Sequence, residues 1–313
     1  MDRENIISNF YQWENFSDSE YSTIMREFAS NGARTLTFGH LWIRRAVTDR
    51  KFGTKILKLA NEYGLAITDV HADFGLGTDL NTPNAESRRV MLANHRRALE
   101  ILSEAGGKVA TFHIGICEPG YSREELRKLT ADSLYFLLPV AHRLGITIAI
   151  ENTLSPGVAS SKELLYYQNL FNDKQLGVCL DIGHVNCLRA TSAKRLSPEL
   201  RKWFKSQSFD KFQFEDNILE QLLPDIVTVH LHDNDGSDDL HQLPGTGIID
   251  WQVIMNKLRY APRLLTLQNE TNACRWGHSI ETLCNCNVWL TALYDNSSTK
   301  KNKVSTQKQK IDC

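Results

Sequence analysis

Residues 129–153 read "LTADSLYFLLPVAHRLGITIAIENT", two periodicities joined at one glycine. From Leu129 to Leu144 apolar residues recur every three or four positions, the period of an amphipathic helix. Gly145 fits the left-handed position that closes a helix, where the missing Cβ removes the steric cost. The run that follows, Ile146 to Thr153, is too short for a helix. Its β-branched residues suit a strand buried on both faces, and it ends in a carboxylate, Glu151. The same unit recurs upstream: "TKILKLANEYG" leads into "LAITDVHADFG", and "RRALEILSEAGG" into "KVATFHIG".

Extended outward, this rhythm gives eight candidate strands: "NIISNFYQW", "RTLTFGH", "LAITDVHA", "KVATFHIG", "ITIAIENT", "QLGVCLDIGH", "DIVTVHLHD" and "RLLTLQNE". A helical segment follows each, the last being "SIETLCNCNVWLTALYD". Eight such units predict an α/β protein of the parallel (β/α)8 barrel type, one domain over residues 1–295. A doubly wound open sheet is the alternative, and it lacks its glycine-rich dinucleotide turn here. The longest connection, residues 188–224, carries a helix start at "SPELRKWFKSQ" and reads as either a lid or a long crossover. Residues 296–313 are polar and aperiodic, as in a disordered tail.

The chain has 313 residues, 42% of them hydrophobic and 23% charged, with a formal net charge of −1. That balance gives no general attraction to nucleic acid, which selects a basic surface. The N-terminus lacks the apolar core of a signal peptide, and no apolar run is long enough to span a membrane. Seven cysteines without a CxxC pair read as reduced, mostly buried thiols in a cytoplasmic protein.

In barrels of this kind chemistry collects at the C-terminal ends of the strands, the face that presents open loops. Six consecutive strands end in metal-ligating side chains: His71, His113, Glu151, Asp181 with His184, His230 with His232, and Glu270. Several carboxylates at one mouth repel unless a cation lies among them. Imidazole with carboxylate suits zinc or manganese, with cobalt or magnesium as further choices. In "VTVHLHDNDGSDDLHQLPGTG" (residues 227–247) His230 and His232 share a strand face but differ in depth by about 7 Å. His230 is therefore the expected ligand, and His232 a supporting or substrate-facing group. Asp239 and His241 form a D-x-H pair on the loop beyond, placed to fold back over the mouth. Asp233, Asp235 and Asp238 read as loop and capping chemistry.

These residues resemble the xylose-isomerase-like barrel superfamily, which contains sugar and sugar phosphate isomerases and epimerases and the zinc AP endonucleases. The resemblance rests on "ENT", "CLDIGHVN" and "VHLHDND…DLHQLPGTGIIDW", and spans about Ile67 to Glu270. In the epimerase branch it implies a divalent metal on Glu151, Asp181, His230 and Glu270. In the endonuclease branch it adds His71, His113, His184, Asp239 and His241 for further zinc ions; otherwise these serve substrate. The run "HADFGLGTDLNTPNAESRR" resembles one frequent in sugar isomerases, and the first strand departs from the "GAHVS"-like start of the endonucleases. The reading is a metal-dependent sugar isomerase or epimerase working through an enediolate, with Glu151 and Glu270 as proton-transfer groups. An abasic-site phosphodiester hydrolase is the rival. The expected partner is a small carbohydrate, with a homo-oligomer open and neither membrane nor nucleic acid. Trp42 and Trp276 stand either as platforms for a sugar ring or as rim packing. Arg44 and Arg45 hint at an anionic substrate.

Overall fold

Eight short parallel strands close into a ring in the computed structural model, which describes residues 7–295. They are β1 (Ile7–Asn9), β2 (Thr35–Phe38), β3 (Ala66–His71), β4 (Val109–Phe112), β5 (Thr147–Glu151), β6 (Leu176–Asp181), β7 (Ile226–Leu231) and β8 (Thr266–Asn269). Each pairs with its neighbours in sequence order, and β1 closes on β8 through Ile7 opposite Leu267. This is the expected (β/α)8 barrel, and closure excludes the open doubly wound sheet. The tail at 296–313 lies outside the described residues, as do the first two positions of the expected first strand.

Helix boundaries follow the local chemistry. The helix Arg123–Leu144 begins at a capping box between Ser122 and Glu125 and ends at Gly145, whose φ is 65°. Ala85–Ala105 ends the same way at Gly106, with φ 79°. The apolar stripe Leu134, Leu137, Leu138 and Ala141 is buried against the sheet, which is where helices of this length draw most of their stability. The expected sixth strand ends three residues early. Asp181 caps a new helix, Ile182–Leu188, its side chain accepting from the His184 amide at 2.7 Å. That turn swings His184 back toward the mouth.

The connection at 188–224 holds two α-helices, Pro198–Ser206 and Ile218–Leu222. Ser197 caps the first, accepting from the Leu200 amide at 3.0 Å. The connection is docked as a crossover on the loops after β4 and β5. Gln207 takes the Cys117 amide on its side chain and the Gly157 amide on its carbonyl, both at 2.7 Å. The Trp203 indole donates to the Leu154 carbonyl at 2.7 Å. Among the described residues no helix is long and apolar enough to cross a membrane.

Candidate functional site

The strand ends bring four fully or nearly fully buried groups together: Glu151, Asp181, His230 and Glu270. His230 is the centre. Its Nδ1 lies 3.6 Å from Glu151 Oε2, 3.6 Å from Asp181 Oδ2 and 3.2 Å from Glu270 Oε2. His71 and His113 approach Glu151 Oε2 at 3.5 and 3.1 Å. On the other flank His184 Nε2 and His241 Nε2 reach Asp239 Oδ2 at 3.4 and 3.2 Å. All nine residues that the resemblance implies as ligands in one branch or the other are within this one constellation.

The D-x-H pair arrives there through the loop that follows β7. Asp233 and Gln242 exchange backbone hydrogen bonds of 2.8 and 2.9 Å, turning the chain back on itself. The buried Asp233 carboxylate then accepts from the Gly245 amide, the Ile249 amide and the Trp251 indole at 2.8, 3.2 and 2.8 Å. Gly247 is required beside it, since a Cβ there would fall 2.3 Å from Asp233 Oδ1. His241 adopts φ 48°, a left-handed conformation uncommon outside glycine that clusters at functional positions.

Burial alone would push the Glu151 carboxyl up, but His113 and His230 outweigh it and hold the group well below the usual carboxylate range. Burial likewise opposes a charge on His184 and His241. Asp181 and Asp239 nevertheless raise His184 to about 10, and Asp239 raises His241 to about 9. Acids and imidazoles thus stabilise each other's charge.

The donor set fits a divalent ion. Four overlapping groups each bring three ligand atoms within 4.8 Å of one another: His71, Glu151 and His230; Asp181, His230 and Glu270; Asp181, His184 and His232; His232, His241 and Glu270. Glu151 Oε2, both ring nitrogens of His230, His232 Nδ1 and Asp239 Oδ1 are buried without a hydrogen-bond partner. Leaving such an atom unsatisfied costs roughly 1–3 kcal/mol. Lone pairs converging at contact distance without hydrogen-bond geometry are what a cation would satisfy.

Above these groups opens a cavity of about 290 Å³, the small end of ligand-binding pockets. Its lining adds Phe10, Gln12, Glu14, His40, Phe74 and Asn272 to the expected residues. Sequence reasoning missed these six, although His40 closes the strand segment "TFGH" and Phe74 the segment "HADF". One expectation, Trp42 at the mouth, is corrected, and the open alternatives for Trp276 and His232 narrow to rim packing and a supporting role. Trp42 is buried, stacked on Trp13 at 4.3 Å in the helical layer, and does not line the cavity. Trp276 packs at the rim, its indole donating to the Leu240 carbonyl at 2.9 Å, and is likewise absent from the lining. His232 faces inward instead of toward substrate: its Nε2 lies 3.0 Å from both Asp181 oxygens, and its ring stacks on His241 at 3.8 Å. Arg44 and Arg45 are committed to Asp73 and Asp18, each with a contact of 2.6 Å.

A family model described as xylose isomerase-like TIM barrel matches residues 23–285. The chain belongs to this family. Within the xylose isomerase-like barrels it is similar to MJ1311, an uncharacterised protein of Methanocaldococcus jannaschii, at 28% identity over 65% of this chain. That match spans 64%, just under two thirds, of the relative's own length. Among solved structures, a D-tagatose 3-epimerase-like protein superimposes with TM-score 0.66 at 19% identity, covering 92% of this chain and 96% of its own. The IolI protein with a bound zinc atom gives TM-score 0.67 at 15% identity, covering 93% and 99%. The structural neighbours of this barrel thus include sugar epimerases.

Proposed function

We propose that the protein is a divalent-metal-dependent sugar isomerase or epimerase. The observation that carries this reading is the pair of buried carboxylates, Glu151 and Glu270, bracketing His230 at the floor of a small cavity. Glu151, Asp181, His230 and Glu270 would hold the ion. When bound, it supplies the Lewis acidity that makes a C–H bond beside a carbonyl acidic enough to break.

The chain's own groups do the rest. Glu151 rises from β5 and Glu270 from the end of β8, three strands further round the ring. They therefore approach a bound sugar from different directions, one taking the proton and the other returning it, as inversion requires. Gln268 donates to Glu270 Oε1 at 2.5 Å and fixes that carboxylate, leaving Oε2 toward His230. His113 and His184 flank Glu151 at 3.1 and 3.4 Å, placed to hold substrate hydroxyls or a second ion. The zinc atom bound by IolI and the epimerases among the structural neighbours support the reading. A reducing, cytoplasmic setting agrees with free Cys117, Cys179, Cys187, Cys274, Cys284 and Cys286.

The test is Glu270→Gln in metal-loaded protein. Exchange of the carbon-bound proton with deuterated solvent, followed by NMR on a ketose panel, is expected to disappear. Undiminished exchange would remove Glu270 from the mechanism.

A further inference from the structure

Beneath the candidate ligands one polar side chain is bonded at one end and free at the other. Gln268 lies on β8, fully buried, two residues before Glu270. Its amide nitrogen donates to Glu270 Oε1 at 2.5 Å, while its own Oε1 is buried without a partner. On the adjacent strand β7 the register sets His230 opposite Gln268. His230 is fully buried too, and its Nε2 likewise has no partner. Register neighbours on adjacent strands point to the same face of a sheet. An unused acceptor and an unused ring nitrogen therefore lie on neighbouring strands at one level of the barrel interior.

The other nitrogen of the ring decides what this arrangement is for. His230 Nδ1 faces Glu270 Oε2, Glu151 Oε2 and Asp181 Oδ2 at 3.2, 3.6 and 3.6 Å. It is therefore the nitrogen that would meet an ion held by those carboxylates. An imidazole that ligates through Nδ1 carries its proton on Nε2, and an acceptor there keeps the ring from turning. The Cys179 thiol on β6 also faces the ring, but a thiol is a weak acceptor. Gln268 Oε1 is a full-strength amide acceptor, in register with the ring and otherwise unused.

From this geometry we infer that Gln268 is a positioning residue for two candidate metal ligands at once: its amide hydrogen holds Glu270, and its Oε1 takes the His230 Nε2–H across one buried water. Buried waters ordinarily serve polar atoms that lack a direct protein partner. The side chain thereby couples the ends of β7 and β8 into one ligand unit and keeps Nδ1 aimed at the carboxylates. Gln268 itself touches neither ion nor substrate in this role. The inference rests on the metal-dependent reading and extends it to a residue below the ligands.

The test uses the full chain labelled with ¹⁵N-histidine and loaded with Zn²⁺, the His230 signals being assigned by their loss in His230→Gln. Long-range proton–nitrogen correlation should show the His230 proton on Nε2, protected from solvent exchange, and Nδ1 shifted by the ion. Gln268→Met keeps the volume and removes both bonds. It should weaken Mn²⁺ binding about 10–100-fold in calorimetric titration and open the Nε2 proton to exchange. Gln268→Glu puts a stronger acceptor at the same point and should move the Nε2–H signal downfield. With the wild-type spectrum, that variant carries the test if Gln268→Met does not fold. A His230 proton on Nδ1, unchanged affinity and exchange in folded Gln268→Met, or an unmoved signal in Gln268→Glu each overturns the inference and leaves the metal reading standing. Failure of the wild-type protein to bind either ion overturns that reading and the inference with it.

Discussion

Replacing Gly183 with alanine sets two effects of opposite sign against each other. Gly183 lies in the first turn of the helix Ile182–Leu188, where alanine is favoured by about 1 kcal/mol on helix propensity alone. Its φ is not positive, so the backbone raises no objection. The added Cβ, however, would fall 1.9 Å from His232 Cε1 and 2.4 Å from Nδ1, against an ordinary contact of 3.4–4 Å. The imidazole would have to retreat by about 1.5 Å. It is fully buried, stacked on His241 at 3.8 Å and bonded to both Asp181 oxygens at 3.0 Å. Overpacking costs roughly 1–3 kcal/mol, and losing a hydrogen bond to a charged group about 1.5–3 kcal/mol more. The steric side wins, with a net loss of about 2–4 kcal/mol. In thermal unfolding this is a fall of about 3–6 °C. Moving Asp181 and His232 together should also weaken manganese binding by about 10–100-fold, the usual effect of disturbing a ligand's support. Calorimetric titration of the metal-free protein with Mn²⁺ reads that directly. A variant with unchanged or higher Tm and unchanged metal affinity would refute the placement of His232 against Gly183.

Asp233→Ala strands three loop donors and the Asn234 amide, so it should cost about 3–5 kcal/mol in urea unfolding; a loss under about 1 kcal/mol would contradict the loop's dependence on that carboxylate. His95 is buried neutral, its Nε2–H donating to the Thr78 carbonyl at 2.8 Å, and burial lowers its pKa from 6.5 to about 4. Between those values the unfolded chain binds the extra proton, so stability present above pH 6.5 falls as pH drops, by about 2 kcal/mol at pH 5. Urea midpoints of wild type and His95→Gln across that range should diverge in slope, and parallel slopes would deny the effect. Chelation from a hundredfold excess over Kd should remove about 3 kcal/mol of stability, visible as a lower Tm. Three tightly bound zinc ions together with nicking of an abasic oligonucleotide would favour the phosphodiester reading instead.

The barrel and the floor of its mouth were legible for the same reason. A strand buried on both faces must be apolar almost throughout, so an ionisable residue at its last position stands out, as Glu151 does after "ITIAI". Alternation placed His230 and His232 on one face correctly. It could not show that the deeper partner of His232 is Asp181, because that contact joins β6 to a residue beyond the end of β7. The opposite wall was illegible. Phe10 and Gln12 follow a three-residue strand in an irregular segment, Glu14 lies in the single 3-10 turn Trp13–Asn15, and Phe74 sits in a loop, where periodicity carries no information. Trp42 misled for the converse reason. Its place after β2 suggested the mouth, but it lies on the helix His40–Thr48, whose buried side carries Trp42, Ile43 and Ala46 into the layer around the barrel.

What makes the site more than a crowd of polar residues is the set of bonds made by the atoms that face away from it. His71 Nδ1 bonds the Ala72 carbonyl at 2.9 Å, His184 Nδ1 the Asn152 carbonyl at 3.0 Å, and His241 Nδ1 the Glu270 carbonyl at 2.9 Å. Each bond to a carbonyl requires Nδ1–H and so turns Nε2 toward a carboxylate-lined centre. Asn152 adds a reciprocal pair with the Asp181 backbone, at 2.7 and 3.1 Å, which locks the ends of β5 and β6 together. The backbone of one candidate ligand thus fixes the ring of another: Glu270 orients His241, and the neighbour of Glu151 orients His184. Three imidazoles thus aim Nε2 inward from rings whose Nδ1–H is fixed by backbone carbonyls just beyond the strand ends, the orientation the proposed metal site would use.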